Sequence, residues 1–260
     1  MKHRISNIAI LILAGLMTTF GCAADKRPLT AGRTAEERQQ IIKPGMFNSR
    51  PADGRRRYFD FYNEQVIHQD VKVSTVFMGD SITQLWELCD YFKPYDGVIV
   101  NRGISGDLAS VMAKRFEADV LQLRPRNVVI LAGTNDVARM LNDKKPADQM
   151  IQSVTESIET MIVASKTAGI NTLVCAIIPT NDDNRMHKGK KPILPKINAN
   201  IQKLCAKHDA IFVDYASAMQ DAKGDLPKEL AGDGLHPHWK GYQIMSSLLI
   251  DAADKHGLRF

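Results

Sequence analysis

Four polar clusters in the sequence combine side chains that can do chemistry together. They are 79–81 (GDS), 101–107 (NRGISGD), 133–136 (GTND) and 233–237 (DGLHP). A serine hydroxyl becomes an effective nucleophile when a histidine takes its proton and a carboxylate holds that histidine in the right tautomer. Ser81, Asp233 and His236 offer these three groups, in a chain order known among hydrolases. The clusters therefore predict acyl transfer through a serine nucleophile.

Acyl transfer also needs hydrogen-bond donors aimed at the oxyanion that develops in the transition state. The candidates are the backbone N–H groups of Ser81 and Gly106 and the side-chain amide of Asn135. A glycine suits the second position because substrate and backbone approach closely there. A serine that opens a helix also places its N–H at the positive end of the helix dipole. This chemistry requires no metal ion and no other cofactor, so we expect neither.

Each cluster also has a purely structural interpretation. Asp80 or Ser81 could cap a helix, the glycines of 101–107 could form turns, and Asn135 could start the next helix. Asp233 could belong to an ordinary turn and His236 could be a structural histidine. Four independent structural roles at four polar clusters are less plausible than one catalytic site that uses all four. We assign Asp80 to holding the turn beside the serine.

The chain around these clusters alternates between strand and helix patterns. Apolar runs typical of buried strands occur at 73–78, 98–100, 128–131, 173–178 and 211–213. Helical patterns occur at 58–68, 83–92, 108–123, 147–167, 196–208 and 242–256. Continuously apolar strands that alternate with helices predict an α/β fold, with a parallel sheet covered on both faces. The polar clusters then fall at the carboxyl ends of the strands, where such folds bind ligands.

The first 22 residues have the pattern of an export signal. Lys2 and Arg4 precede an apolar run at 8–17, which is too short to span a bilayer comfortably. The following Thr-Phe-Gly-Cys resembles a bacterial lipoprotein signal and makes Cys22 a candidate lipidation site; ordinary cleavage near 22–24 is the alternative. Residues 23–57 are polar and interrupted by proline and glycine, which is typical of a tether or wrapping segment. The catalytic domain is predicted to cover 58–260.

Charge and cysteine content exclude some classes of protein. The chain has 34 Lys and Arg against 29 Asp and Glu, and removal of the predicted signal leaves an excess of three basic residues. That balance, without a basic stripe interleaved with aromatic residues, argues against a nucleic-acid partner. Cys89, Cys175 and Cys205 lack the spacing of a metal site.

Taken together, GDSIT (79–83), NRGISGD, GTND and DGLHP resemble the four sequence blocks of the SGNH, or GDSL-type, hydrolases. The resemblance runs from about Val73 to Leu249, with Ile82 in place of the leucine of the GDSL name. It implies that Ser81 is the nucleophile, His236 the base and Asp233 its orienting partner, with Gly106 and Asn135 in the oxyanion hole. It also implies a single three-layer α/β/α sandwich with a flavodoxin-like parallel sheet.

The substrate is predicted from the site's surroundings. Arg102 could contact an acid or a sugar hydroxyl, or instead pair with Asp136; Trp239 could stack on a sugar or pack against the last helix. The polar stretch 180–195 is placed to overhang the site. Export to the periplasm or cell surface, together with a polar rim around the site, favours O-acetyl groups on carbohydrate as the substrate. A lysophospholipase or thioesterase is the alternative, and a non-catalytic glycan-binding protein is the least favoured. The oligomeric state stays open.

Overall fold

The computed structural model describes residues 21–23 by their backbone, and residues 32–144, 146–183 and 188–260 in full. The strands are β1 (Gly21–Ala23), β2 (Val73–Gly79), β3 (Val98–Gly103), β4 (Asn127–Leu131), β5 (Asn171–Cys175) and β6 (Ile211–Val213). The helices are α1 (Ala35–Gln39), α2 (Arg50–His68), α3 (Ser81–Gln84), α4 (Leu88–Tyr91), α5 (Ala109–Asp119), α6 (Thr134–Asn142), α7 (Ala147–Thr167), α8 (Leu194–His208), α9 (Tyr215–Ala218) and α10 (Trp239–Lys255), with a 3-10 turn at Leu121–Leu123.

The strands form one sheet in the order β1-β3-β2-β4-β5-β6. Strands β2 to β6 are parallel, and β1 adds to the edge of β3 in the antiparallel direction. The chain therefore winds outward from β2 in one direction and then in the other. This is the flavodoxin-like order, and its crevice opens beside the carboxyl end of β2, where the direction of winding changes. The predicted parallel α/β fold is confirmed.

The two faces of the sheet are buried against separate helical layers. Met78 and Ile130 belong to the core shared with α2, α5, α7 and α8. Phe77 and Val129 point the other way, into a core shared with α3, α4, α9 and α10. Successive residues of a strand face opposite sides, so strands that are buried on both sides read as continuous apolar runs. The three layers expected from the sequence are present.

Some elements differ from the sequence-based expectation. Helix α2 begins at Arg50, eight residues before the predicted start at Tyr58, because Pro51 suits a first helical turn and Ala52 and Arg56 are buried. The end of the predicted tether is thus a packed helix. Its earlier part contacts the domain as well, since the N–H of Ile42 donates to Gln122 at 3.0 Å.

The helices and strands beside the site are also shorter and more numerous than the sequence predicted. The helix expected at 83–92 is two short helices, α3 and α4, and α6 follows β4 where no helix was assigned. Strand β5 ends at Cys175 rather than at Ile178. Beyond it, the backbone of Ile177 is paired with the Asn198 side chain of α8, by bonds of 2.8 and 2.9 Å.

Residues 1–20 of the predicted signal peptide lie outside the described residues, as does the side chain of Cys22. Within the described part of the chain, no helix is both long and apolar enough to cross a membrane. The stretch 180–195, predicted to overhang the site, is described except for 184–187. Its start contacts the site region, because the N–H of Asn181 donates to the carbonyl of Gly234 at 2.9 Å.

Candidate active site

Ser81 lies where β2 ends and α3 begins. Asp80 is the N-cap of α3, and its Oδ1 accepts a hydrogen bond from the N–H of Ile82 at 2.9 Å. Ser81 is therefore the first helical residue, and its N–H belongs to the set that has no partner inside the helix. Cap and serine occupy neighbouring positions with different tasks, as the sequence indicated. The turn presents both the hydroxyl and an unused donor at the edge of the sheet.

His236 joins Ser81 to Asp233 in one hydrogen-bonded chain. Its Nε2 lies 2.9 Å from Ser81 Oγ, and its Nδ1 lies 2.6 Å from Asp233 Oδ2. The carboxylate can accept only from a protonated Nδ1, which leaves Nε2 free to accept the serine proton. Ser81 and His236 are 155 residues apart in sequence, so the tertiary fold makes this contact. The arrangement can activate the hydroxyl.

Asp233 is fixed by the turn that also carries His236. Its Oδ1 accepts from the N–H groups of Leu235 at 2.9 Å and of His236 at 2.7 Å. Burial by itself would raise the pKa of Asp233, but the imidazole and the two N–H donors outweigh it and lower that pKa to about 2. The carboxylate is thus charged over the whole neutral range, as an orienting partner for histidine must be.

The other two candidate donors, Gly106 and Asn135, follow the strands on either side of β2. Gly106 has φ +79°, a conformation that favours glycine, and lies in an exposed part of the loop after β3. Asn135 Nδ2 donates to the carbonyl of Asp107 at 3.1 Å and lies 3.5 Å from Asp80 Oδ2. Ser81, Gly106 and Asn135 therefore stand at the ends of three adjacent strands, β2, β3 and β4.

Three residues with buried carboxyl groups, Asp80, Asp107 and Asp136, contact Asn135 or adjoin it in the chain. Burial raises the pKa of Asp80 to about 7, although the hydrogen bond from the Ile82 N–H acts to lower that pKa. Burial likewise raises the pKa of Asp136 to about 6 and raises that of Asp107. Asp136 accepts from the N–H of Ala109 at 3.0 and 3.2 Å and so caps α5. Both are structural here, since Asp136 caps a helix and Asp107 pairs with Arg115.

The helix that carries Ser81 is held tightly from two sides. The hydroxyl of Tyr242 donates to the carbonyl of Ile82 at 2.7 Å, and the Tyr242 ring stacks on Trp86 at 5.1 Å between centroids. On the other side, a Cβ at Gly103 would come within 2.2 Å of the Gln84 backbone nitrogen. Only glycine permits this approach of β3 to α3, so the position of Ser81 depends on it.

The sequence allowed Arg102 to contact the substrate, but the structure places it away from the site. Its guanidinium donates to Asn63 Oδ1 at 2.6 Å and lies 4.8 Å above the Phe59 ring, so it is buried against α2. No bond to Asp136 is formed. The neighbouring Asn101 faces α3 instead, where its Nδ2 donates to Thr83 O at 2.7 Å. Adjacent strand residues face opposite sides, which turns Arg102 away from Ser81.

Trp239 is 61% exposed, which contradicts the packing alternative for this residue. It opens α10, three residues after His236, and the Lys240 ammonium lies 5.5 Å from its ring centroid. The side chains of His236 and Asp233 are themselves 32% and 49% exposed. The candidate site is therefore open at the surface, and an exposed aromatic residue follows His236 by three positions.

Sequence reasoning missed Arg115, the largest fully buried side chain beside the site. A signal was present, because Arg115 and Asp119 stand four residues apart on the same helix face as the apolar Met112. A charged pair on the buried face of an amphipathic helix marks an internal ionic network. Arg115 donates to Asp107 and to Asp119, each at 2.8 Å.

The fold and the hydrogen-bonded Ser-His-Asp set define the class of serine acyl hydrolases built on a doubly wound α/β sheet. Residues 77–244 match the model of the GDSL-like lipase/acylhydrolase family. The chain belongs to that family, as the four sequence blocks indicated, and the protein is an ester-hydrolysing enzyme.

Individual relatives agree with this assignment. The chain is 26% identical over 153 residues to an acetylxylan esterase of Geobacillus stearothermophilus, covering 57% of this chain and 68% of the relative. It is 32% identical over 126 residues to the uncharacterised lipoprotein YqeF of Bacillus subtilis (strain 168), covering 43% of this chain and 51% of the relative. A GDSL-like lipase structure from Bacteroides thetaiotaomicron VPI-5482 is 30% identical, with a TM-score of 0.61, covering 70% of this chain and 88% of that one.

Proposed function

We propose that the protein is an exported serine esterase that removes small acyl groups, chiefly acetyl, from carbohydrate. In this proposal Ser81 is the nucleophile, His236 the general base and Asp233 the group that orients it. The N–H groups of Ser81 and Gly106 and the amide of Asn135 form the oxyanion hole. The observation that carries the proposal is the continuous contact from Asp233 through His236 to the Ser81 hydroxyl, at 2.6 and 2.9 Å.

The reaction proceeds in two halves. Ser81 Oγ attacks the ester carbonyl carbon while its proton passes to His236 Nε2, and the three donors stabilise the tetrahedral oxyanion. The intermediate collapses, the carbon–oxygen bond to the leaving alcohol breaks, and His236 returns the proton to that alcohol. Water then attacks the acyl-serine with His236 as base. The carboxylic acid leaves and Ser81 recovers its proton.

The carbohydrate substrate is supported by the shape and rim of the site. The imidazole and the carboxylate reach solvent directly, which allows a bulky glycan to present one acetyl group to Ser81. Trp239, three residues after the base, offers an exposed aromatic face suited to stacking on a sugar ring. The relationship to an acetylxylan esterase supports the same class of substrate.

The nucleophile is tested by measuring hydrolysis of 4-nitrophenyl acetate. Ser81→Ala is expected to lower kcat by a factor on the order of 10³ or more, because the acyl-enzyme cannot form. Ser247→Ala is the matched control, since the side chain of Ser247 is exposed on α10. A Ser81→Ala enzyme as active as wild type would exclude the proposed mechanism.

Acyl preference separates the proposal from its alternative, a lysophospholipase or thioesterase. A series of 4-nitrophenyl esters from acetate to decanoate, together with acetylated xylooligosaccharides, would be compared in wild type and Ser81→Ala. We expect kcat/KM to fall steeply beyond propionate. Activity that rises with chain length would favour the lipid or thioester substrate instead.

We also propose that residues 1–22 are an export signal, and that Cys22 is lipidated and anchors the enzyme in the periplasm or at the cell surface. The residues between Cys22 and helix α2, which begins at Arg50, would then connect the anchor to the hydrolase domain. A relative that is named a lipoprotein supports this location. Cys22→Ser should move the protein from the membrane fraction to the soluble fraction of cells, and unchanged fractionation would refute lipidation.

A further inference from the structure

We propose that Arg115 is a positioning residue that sets the geometry of the oxyanion hole. The inference rests on the proposed function, because it assigns a cause to the placement of Gly106 and Asn135. Arg115 touches neither substrate nor Ser81. It acts through Asp107, the residue that links both donors, and through the ends of β2 and β3.

The Arg115 guanidinium binds three parts of the site at once. One terminal nitrogen donates to the carbonyls of Gly79 at 3.2 Å and Arg102 at 2.9 Å, near the carboxyl ends of β2 and β3. Its Nε donates to Asp107 Oδ2 at 2.8 Å. Both charged side chains are fully buried. The planar guanidinium thus links strand β2, strand β3 and the loop after β3 to one another.

The same loop residue controls both distant donors. Gly106 lies in the turn that is closed by the bond from the Asp107 N–H to the carbonyl of Ile104 at 3.1 Å, so a shift of Asp107 also shifts the backbone of Gly106. The carbonyl of Asp107 accepts from Asn135 Nδ2 at 3.1 Å and fixes the orientation of that amide. Gly79, held by the same guanidinium, lies two residues before Ser81. All three proposed oxyanion donors are therefore connected to Arg115 through one or two intervening residues or hydrogen bonds.

The chemistry of arginine explains why this residue type is present. Its planar fork donates in several fixed directions, whereas a lysine ammonium is a compact charge on a flexible stem. A buried ionic network contributes little net stability compared with apolar packing. Accurate placement of oxyanion donors, by contrast, is worth a large factor in rate. A positioning role therefore accounts for this buried cation better than a stabilising role does.

The test compares two carboxylates that bind the same guanidinium. Asp107 and Asp119 are both fully buried and each accepts from Arg115 at 2.8 Å, but only Asp107 belongs to the oxyanion loop. We expect Asp107→Asn to lower kcat for 4-nitrophenyl acetate by about 10- to 100-fold with KM changed less than about twofold. Asp119→Asn should lower Tm at least as much, yet keep kcat within about threefold of wild type.

A second set of variants keeps the charges. Asp107→Glu displaces the loop without removing the ion pair and should lower kcat more than its control Asp119→Glu, which provides the comparison if an asparagine variant does not fold. Arg115→Lys should lower kcat as Asp107→Asn does, because lysine cannot bind Asp107 and both carbonyls together. In each case the rate of phosphonylation of Ser81 by a 4-nitrophenyl phosphonate should fall in parallel, since its phosphoryl oxygen needs the same donors.

The outcomes separate this inference from the proposed function. Equal losses of kcat at Asp107 and Asp119, or a lower Tm with unchanged kcat in the Asp107 variants, would overturn the positioning role of Arg115. The esterase proposal would stand in that case, provided that Ser81→Ala is inactive. Full activity in Ser81→Ala would overturn both.

Discussion

Asp80, through its buried carboxyl group, is predicted to make the stability of the protein depend on pH. Its carboxyl group is buried beside the serine, and its bond to the N–H of Ile82 caps α3. Burial raises its pKa to about 7, and repulsion from Asp136 and Asp107 adds to the effect. Replacing Asp80 by Asn keeps the size and the capping ability of the side chain but removes its titration.

The sign and size of the effect follow from the two pKa values. In the unfolded chain Asp titrates near pH 3.9, so the folded state holds this proton more tightly. The resulting stability is present at low pH and is lost as the pH rises to about 7. Between pH 5 and pH 8 this advantage of the folded state falls by about 3 kcal/mol. The Asp80→Asn variant should lose none of it.

The assay is equilibrium unfolding in urea at pH 5 and pH 8 for wild type and Asp80→Asn. Relative to wild type, the variant should be more stable at pH 8 than at pH 5 by about 3 kcal/mol. Asp136→Asn is the comparison variant; because the pKa of Asp136 is about 6, its change over the same range should be smaller, about 1 kcal/mol. A stability difference between wild type and Asp80→Asn that does not vary with pH would refute the reasoning.

Three further predictions concern other parts of the site. Asp233→Asn should lower kcat by about 10²- to 10⁴-fold, because an amide does not hold His236 in the required tautomer, and steady-state kinetics would show it. The half-exposed position of Asp233 favours the lower end of that range, and a loss below tenfold would contradict its role. Tyr242→Phe should lower the free energy of unfolding by about 1–3 kcal/mol, since the buried carbonyl of Ile82 loses its donor, and an unchanged urea midpoint would be the contrary result. Trp239→Ala should reduce kcat/KM for acetylated xylooligosaccharides about 2- to 10-fold more than for 4-nitrophenyl acetate, whereas equal effects on both substrates would exclude sugar stacking.

The periodicity of the chain was sufficient to predict the α/β architecture. Strands such as β2 and β4 are apolar on both faces, and that pattern is stable only between two helical layers. Short elements were predicted less well. Helices α3 and α4 have four residues each, too few for a periodic signal, and both are positioned by tertiary contacts such as the bond from Tyr242 to Ile82. The start of α2 was missed because its first turns contain Gly54 and Pro51, which also mark loops.

By itself the sequence determined the residue types at the strand ends, and hence the identity of Ser81, Gly106, Asn135, Asp233 and His236 as candidates. Parallel strands must end at one edge of a sheet, so the polar clusters that follow those strands are brought near one another whatever the details of packing. This is a property of chain order and periodicity, and it is readable without coordinates.

Only the tertiary structure decided which neighbouring residues join the site. Arg102 follows Asn101 directly, yet one faces α2 and the other α3, because a strand turns successive side chains to opposite sides. Trp239 is exposed, although its residue type alone allowed it to be buried. Arg115 became visible as the centre of a network only when its three nitrogens could be traced to separate elements. Contacts between residues distant in sequence depend on packing in three dimensions, which local patterns do not encode.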